Sequence, residues 1–266
     1  MIREDTEPLQ GVQVHAWKFV SGIIAWYDTI ACTQSSPISL ISETWDWCGT
    51  GFLPLCRIMG CQTWAMSQIR EITALRRWKK EMQNNRTLSM RELSTRAVQI
   101  EKKLEDGMRE IIVALDAENV EDDLLATEMI GDYGSRRTSY LITRIFASAA
   151  LTYLFTVVSG PNAMLSEIQE SVSRTIATIK ALPRLKFFCN LTWPLTITGC
   201  LSIGESREVF VQYMEKYMTK PHGFGSSQHI LKIVEECWRQ QADTKIEEDI
   251  DNTKAMKSLN LDILLV

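Results

Sequence analysis

The residues that could carry chemistry are few and scattered. The cysteines are Cys32, Cys48, Cys56, Cys61, Cys189, Cys200 and Cys237, and the histidines are His15, His222 and His229. A structural zinc site needs thiolate pairs two to four residues apart, with two further ligands close by. Cys56 and Cys61 are spaced more widely and are isolated from other ligands, so no metal is expected. Cys61 or Cys200 could be imagined as a nucleophile with the distant His15 or His229 as its base. Both cysteines sit in apolar helical sequence, where burial raises a thiol pKa and disfavours the reactive thiolate. An odd number of cysteines in apolar surroundings reads as reduced core residues of an intracellular protein.

The acidic runs Glu121-Asp122-Asp123 and Glu247-Glu248-Asp249 imitate paired catalytic carboxylates. Side by side in charged linkers, they read as surface charge. Neither glycine-rich phosphate-binding pattern occurs, and neither does a Gly-x-Ser-x-Gly elbow or a His-Glu-x-x-His helix. Gly223-Phe224-Gly225 is glycine-rich only superficially. No catalytic residue, cofactor or metal ligand is therefore expected in this chain.

The surrounding elements read as helices. Seven prolines and thirteen glycines are few for 266 residues of which 45% are hydrophobic and 23% charged. Scarcity of both breakers favours an all-α, large multi-helix domain with a central buried helix pair. The formal charge of −4 gives no electrostatic case for direct DNA or RNA binding. The densest basic cluster, Arg70, Arg76, Arg77, Lys79 and Lys80 before Glu81, reads as the solvated side of a helix. The acidic start, Met1 to Pro8, does not read as a secretory signal. Ile145 to Val158 is uncharged but shorter than the roughly twenty residues that cross a bilayer, so a buried helix and no membrane are expected.

Apolar residues recur at helical spacing from Val12 to Ile30, up to a break at Ser35-Ser36-Pro37. A tryptophan-rich irregular stretch (Trp45, Trp47) leads into a second stripe: Ile58, Cys61, Ala65, Ile69, Ile72 and Leu75. A third helix opens on Ser89 and Glu92, the pattern of a capping box, and carries Leu93, Ala97, Ile100, Leu104, Met108, Ile111 and Leu115 on one face. The fourth, about Arg137 to Val158, is apolar around most of its circumference and belongs at the centre. Further helices are predicted from near Ser166, over Trp193–Ile203, over Ser206–Met218, and around Ile230–Trp238. The organisation expected is a polar tail over 1–11, a helical domain over 12–240 and a charged segment over 241–266 whose apolar end packs back as strand or helix. Eight tryptophans read first as core residues locking helix crossings, and second as the lining of a cavity.

Five segments in order carry a resemblance. Leu191-Thr-Trp193-Pro194-Leu195-Thr-Ile-Thr-Gly199-Cys200 resembles the Trp-Pro-Leu-x-x-x-Gly-Cys signature of the fungal-specific transcription factor domain. That domain is the helical regulatory region C-terminal to the zinc binuclear cluster of many fungal transcription factors. Ala147 to Leu154 with Ser159-Gly160 is similar to its Ala-x-Ala-x-Tyr-Leu helix, and Ile168 to Val172 with Ala181-Leu182-Pro183 follows. Met59-Gly60-Cys61 leading to Trp78-Lys79, and Glu235 to Trp238 with the final Asp262 to Val266, complete the set. Thr196 and Thr198 depart from the usual larger or apolar residues, and a tryptophan common near Asn252-Thr253 is absent.

The resemblance implies a nuclear transcription regulator working through proteins of the transcription machinery, a homodimer partner or a small-molecule effector. It reaches DNA only indirectly, because these residues contain no six-cysteine cluster. The signature residues Trp193, Pro194, Leu195, Gly199 and Cys200 are expected to be structural: proline suits a helix's first turn, tryptophan buries beside it, and glycine admits a neighbouring helix. The alternatives are an all-α isoprenoid-synthase-like enzyme, for which Glu121-Asp122-Asp123 is the one faint magnesium motif, and a plain helical scaffold.

Overall fold

The computed structural model describes residues 11–34, 59–117, 136–182, 190–218, 228–243 and 252–265. The helices among them are α1 Gly11–Gln34, α2 Thr63–Asn84, α3 Met90–Ala117, α4 Arg136–Ser159, α5 Ser166–Lys180, α6 Thr192–Cys200, α7 Gly204–Met218, α8 Ile230–Asp243 and α9 Asn252–Ser258. No strand occurs among the described residues. The fold is all-α.

The centre is α4. Sixteen of its residues are buried, so the helix has almost no wet face and must be wrapped on several sides. Helices α2, α3, α5 and α6 pack against it. Its hydroxyls are accommodated in this apolar setting by bonding back along the helix: Thr143 donates to the Ser139 carbonyl at 2.7 Å, and Thr152 to Ser148 at 3.3 Å. With 24 residues, α4 is longer than its uncharged run, and it is the one described helix long and apolar enough to cross a membrane. Length therefore does not settle its role. Packing does, because 78% of its apolar window is buried against the rest of the chain.

Helices α2 and α3 lie on α4 through the stripes expected of them. Ala65, Ile69, Ile72 and Leu75 are buried on α2, and Leu93, Ala97, Ile100, Leu104, Met108 and Ile111 on α3. The cap at the start of α3 is half of the predicted box: the Glu92 N–H donates to Ser89 Oγ at 3.3 Å. The Glu92 carboxylate turns forward instead, to the Arg96 guanidinium at 2.6 Å. A charge-assisted bond one turn ahead outcompetes a neutral backbone donor on an exposed helix.

Sequence and structure differ at some boundaries. The start of α5 has no side-chain cap; Gln169 reaches across to the carbonyls of Ala163 at 2.7 Å and Leu201 at 2.8 Å. Helix α6 ends at Cys200, three residues early, because the chain turns through Leu201–Ile203 into Gly204 at φ +51°. After α9 the chain turns and continues without regular secondary structure, and Leu265 is fully buried with Leu261, Ile263 and Leu264 packed on the core. The tryptophan-rich stretch, Cys48, Cys56, Cys189, His222 and both acidic runs lie outside the described residues.

Candidate functional site

Helix α6 is short and buried along its whole length. Trp193 is its pivot. Its ring stacks on Phe146 of α4 (centroids 6.0 Å, planes 7° apart) and meets Tyr153 edge-on at 6.0 Å. Its indole N–H donates to the Thr33 hydroxyl of α1 at 2.9 Å. Pro194 occupies the first turn, where its missing donor costs nothing, and Leu195 donates its N–H to the Leu191 carbonyl at 2.9 Å.

Gly199 brings α6 against α7 and α8. A Cβ there would stand 2.6 Å from Phe210 Cζ and 2.7 Å from Val234 Cγ2. Its carbonyl accepts from the Trp238 indole at 2.9 Å, and the Cys200 carbonyl from Gln241 at 3.0 Å. The polar Thr196 donates to the Thr192 carbonyl at 2.8 Å, which explains how a threonine sits at a buried signature position. The Thr198 hydroxyl is buried with no hydrogen-bond partner.

The Cys61 thiol is buried and donates to the Gln62 carbonyl at 3.5 Å. Among the described residues, no group of three or more His, Cys, Asp or Glu side chains is placed to hold a metal ion. Of the tryptophans, Trp26 and Trp193 are buried core, Trp64, Trp78 and Trp238 are partly buried against it, and Trp17 is exposed.

Among the described residues, a cavity of about 340 Å³ lies where helix ends converge. It is lined by Thr33 near the end of α1, Tyr153, Thr156 and Val157 near the end of α4, Gly160 and Pro161 beyond it, and Ile197 and Cys200 of α6 with Leu201 just after it. Arg76, Lys79, Lys80 and Gln83 of α2, with Asn252 of α9, also line it. Two of the cations are anchored to helix ends. Arg76 donates to the Thr33 carbonyl at 2.8 Å, and Lys79 to the carbonyls of Val157 at 2.8 Å and Val158 at 3.2 Å. Both neutralise the carbonyl-rich C-termini of neighbouring helices.

The basic cluster on α2 is thus more than a solvated face. The expectation from sequence is corrected for Arg76 and Lys79, which lie half-buried between helices. A signal for this is present: Arg76, Lys79 and Gln83 step along α2 by three and four, one row of a helix. Spacing alone does not say what that row faces.

The sequence profile of the fungal specific transcription factor domain matches residues 13–266. The chain belongs to this family. Among curated members, it is 35% identical over 238 residues to a trichothecene biosynthesis transcription regulator of Trichoderma arundinaceum, covering 89% of this chain and 51% of that protein. It is 30% identical over 239 residues to the trichothecene biosynthesis transcription regulator of Fusarium sporotrichioides, covering 90% and 52%. A third relative is the ustiloxin B cluster transcription factor of Aspergillus flavus, 30% identical over 265 residues, covering 96% and 43%. The chain spans about half the length of these relatives. No solved structure matches it.

Proposed function

We propose that this chain is the regulatory part of a nuclear transcription regulator of a fungal biosynthetic gene cluster. It acts by contact with proteins of the transcription machinery or a second copy, under a small-molecule effector, and not by catalysis. Family membership over residues 13–266, with relatives named as cluster regulators, carries the reading. The arrangement of the molecule supports it. The signature residues spend their polar atoms on joining helices, and the cavity touches α1, α2, α4, α6 and α9 together, so a ligand there would act on most of the core. An isoprenoid-synthase reading finds no favouring observation, since a magnesium diphosphate site needs carboxylates and this cavity is lined by cations.

The test is a tethering assay. The full chain is fused to a heterologous DNA-binding module and transcription is read from a reporter carrying that module's site. A change in reporter output relative to the module alone is expected, and an unchanged output would count against the regulator reading. In a mobility-shift assay the chain alone should bind no DNA sequence selectively. Tight sequence-specific binding would overturn the proposal that its contact with DNA is indirect.

A further inference from the structure

We infer that the outer face of α1 is a self-association surface: two copies of this chain pair their α1 helices antiparallel about a twofold axis, through Trp17, Val20, Ile24 and Tyr27. This deepens the protein-contact part of the proposed function by naming the partner as a second copy. It rests on that reading only for the consequence in transcription, while the pairing stands on the surface alone.

Helix α1 carries apolar residues on two opposite faces. The inner face is committed to the core: Ala25, Trp26 and Ile30 are buried, and the Trp26 ring meets Phe146 of α4 edge-on at 5.0 Å. The outer face holds Trp17 at 66% exposure, Val20 and Ile24 at 46% each, and Tyr27 at 40%. These four form one row, because steps of three, four and three follow a single side of a helix. From Phe19 to Tyr27 the sequence holds no charged residue, and Asp28 is buried. Covering the row therefore strands no charge away from water. The other exposed apolar residues are scattered by comparison: Met90 and Val98 of α3 and Met164 beyond α4 stand apart from one another.

The spacing selects a second copy as the occupant. In a twofold contact, if residue i meets j then j meets i. The row reads the same in both directions, so an antiparallel copy centred on Gly22 sets Trp17 against the partner's Tyr27 and Val20 against the partner's Ile24. Each pair forms twice, with aromatic pairs at the ends and β-branched pairs at the axis. Helix α1 is already held in place by Trp26 and by the bond from Trp193 to Thr33, so association has no helix to order. At about 200 Å² for a large side chain, the four leave roughly 400 Å² exposed per copy, and the contact covers about 800 Å² from them alone. That area belongs to the low end of specific interfaces, and a reversible dimer with a roughly micromolar Kd is expected.

The test is sedimentation equilibrium of the full chain from below to above micromolar concentration. A monomer–dimer equilibrium is expected. Trp17→Ala and Ile24→Glu change exposed positions, so each should fold as the parent does by circular dichroism and weaken the dimer about tenfold or more. If one of them fails to fold, the other carries the test. Orientation is read by mixing the Val20→Lys chain with the Ile24→Glu chain. Antiparallel pairing sets the two introduced charges against each other and keeps one apolar pair, so the mixture should dimerise more tightly than either variant alone. Absence of that rescue overturns the antiparallel arrangement. A chain that stays monomeric throughout, as it does if another part of the same chain covers the row, overturns the inference. So does a dimer indifferent to both Trp17→Ala and Ile24→Glu. A reporter fusion that works with a monomeric chain would fault this surface alone. A dimer that loses its pairing in these variants, with a silent reporter, would support the surface and fault the regulator reading.

Discussion

Trp193 of α6 and Thr33 of α1 are joined by a buried 2.9 Å hydrogen bond across 160 residues of sequence. The Thr33 hydroxyl passes it on, donating to the Ile30 carbonyl at 2.7 Å. The bond ties the signature helix to the first helix of the domain, and the same indole wedges between Phe146 and Tyr153 of α4. Three helices therefore depend on one side chain.

Trp193→Ala should destabilise the chain by about 3–5 kcal/mol, the range for truncating a buried large aromatic. Trp193→Phe keeps a ring between Phe146 and Tyr153 and loses the hydrogen bond. It should cost less than the alanine variant, because the Thr33 hydroxyl retains its bond to Ile30. Urea unfolding of the two variants against the parent separates them; equal losses would mean that the ring contributes nothing beyond the hydrogen bond.

Gly199→Ala sets two effects of opposite sign against each other. Alanine gains about 1 kcal/mol of helix propensity over glycine. Its methyl would lie 2.6 Å from Phe210 and 2.7 Å from Val234, both buried and unable to swing into solvent. Overpacking costs typically about 1–3 kcal/mol. The net expectation is a loss of up to about 2 kcal/mol by those two estimates. A raised Tm would show that α7 and α8 can shift away from α6.

How much of this was legible in sequence follows from what periodicity encodes. The stripe on α3 from Leu93 to Ile111 and the all-round apolar character of α4 predict which residues are buried, and they are. A stripe names a face but not its partner, so neither Trp193 with Thr33 nor Arg76 with the end of α1 could be paired from spacing. The cavity was illegible for the same reason: its lining comes from five helices and the turns after two of them, and each contributes residues that read locally as ordinary core or surface. Gln34 is a sharper case. One glutamine at the end of α1 carries no signal, yet it is buried and holds the far end of the chain.

The Gln34 side chain accepts from the Leu265 N–H at 3.2 Å and donates to the Ile263 carbonyl at 3.3 Å, while its own carbonyl accepts from Thr253 at 3.0 Å. Gln34→Ala leaves the buried Leu265 N–H unpaired, worth about 1–3 kcal/mol, and the part-buried Ile263 carbonyl without its partner. The tail should open locally before the core does. Hydrogen exchange over residues 261–265 is expected to speed up in this variant with little change over α3. Unchanged protection of Leu265 would show that apolar contacts alone seat the tail.

Acid should loosen the contact between α8 and the last residue of α9. Glu236 accepts hydrogen bonds from Arg239, Ser258 and Gln240, which hold its carboxyl at about 2, below the usual 4.5, with the Arg239 bond the largest influence. A carboxyl whose folded pKa is depressed adds stability above its unfolded pKa and loses it as pH falls toward the folded value. The contribution of Glu236 is therefore full above about pH 4.5 and fades between there and about pH 2. Glu236→Gln removes that titration, so its Tm should fall less steeply than the parent's over this window, while at neutral pH the variant is the less stable of the two. Parallel Tm profiles between pH 4.5 and 2 would mean that the Arg239 and Ser258 bonds are too exposed in solution to bias the carboxyl.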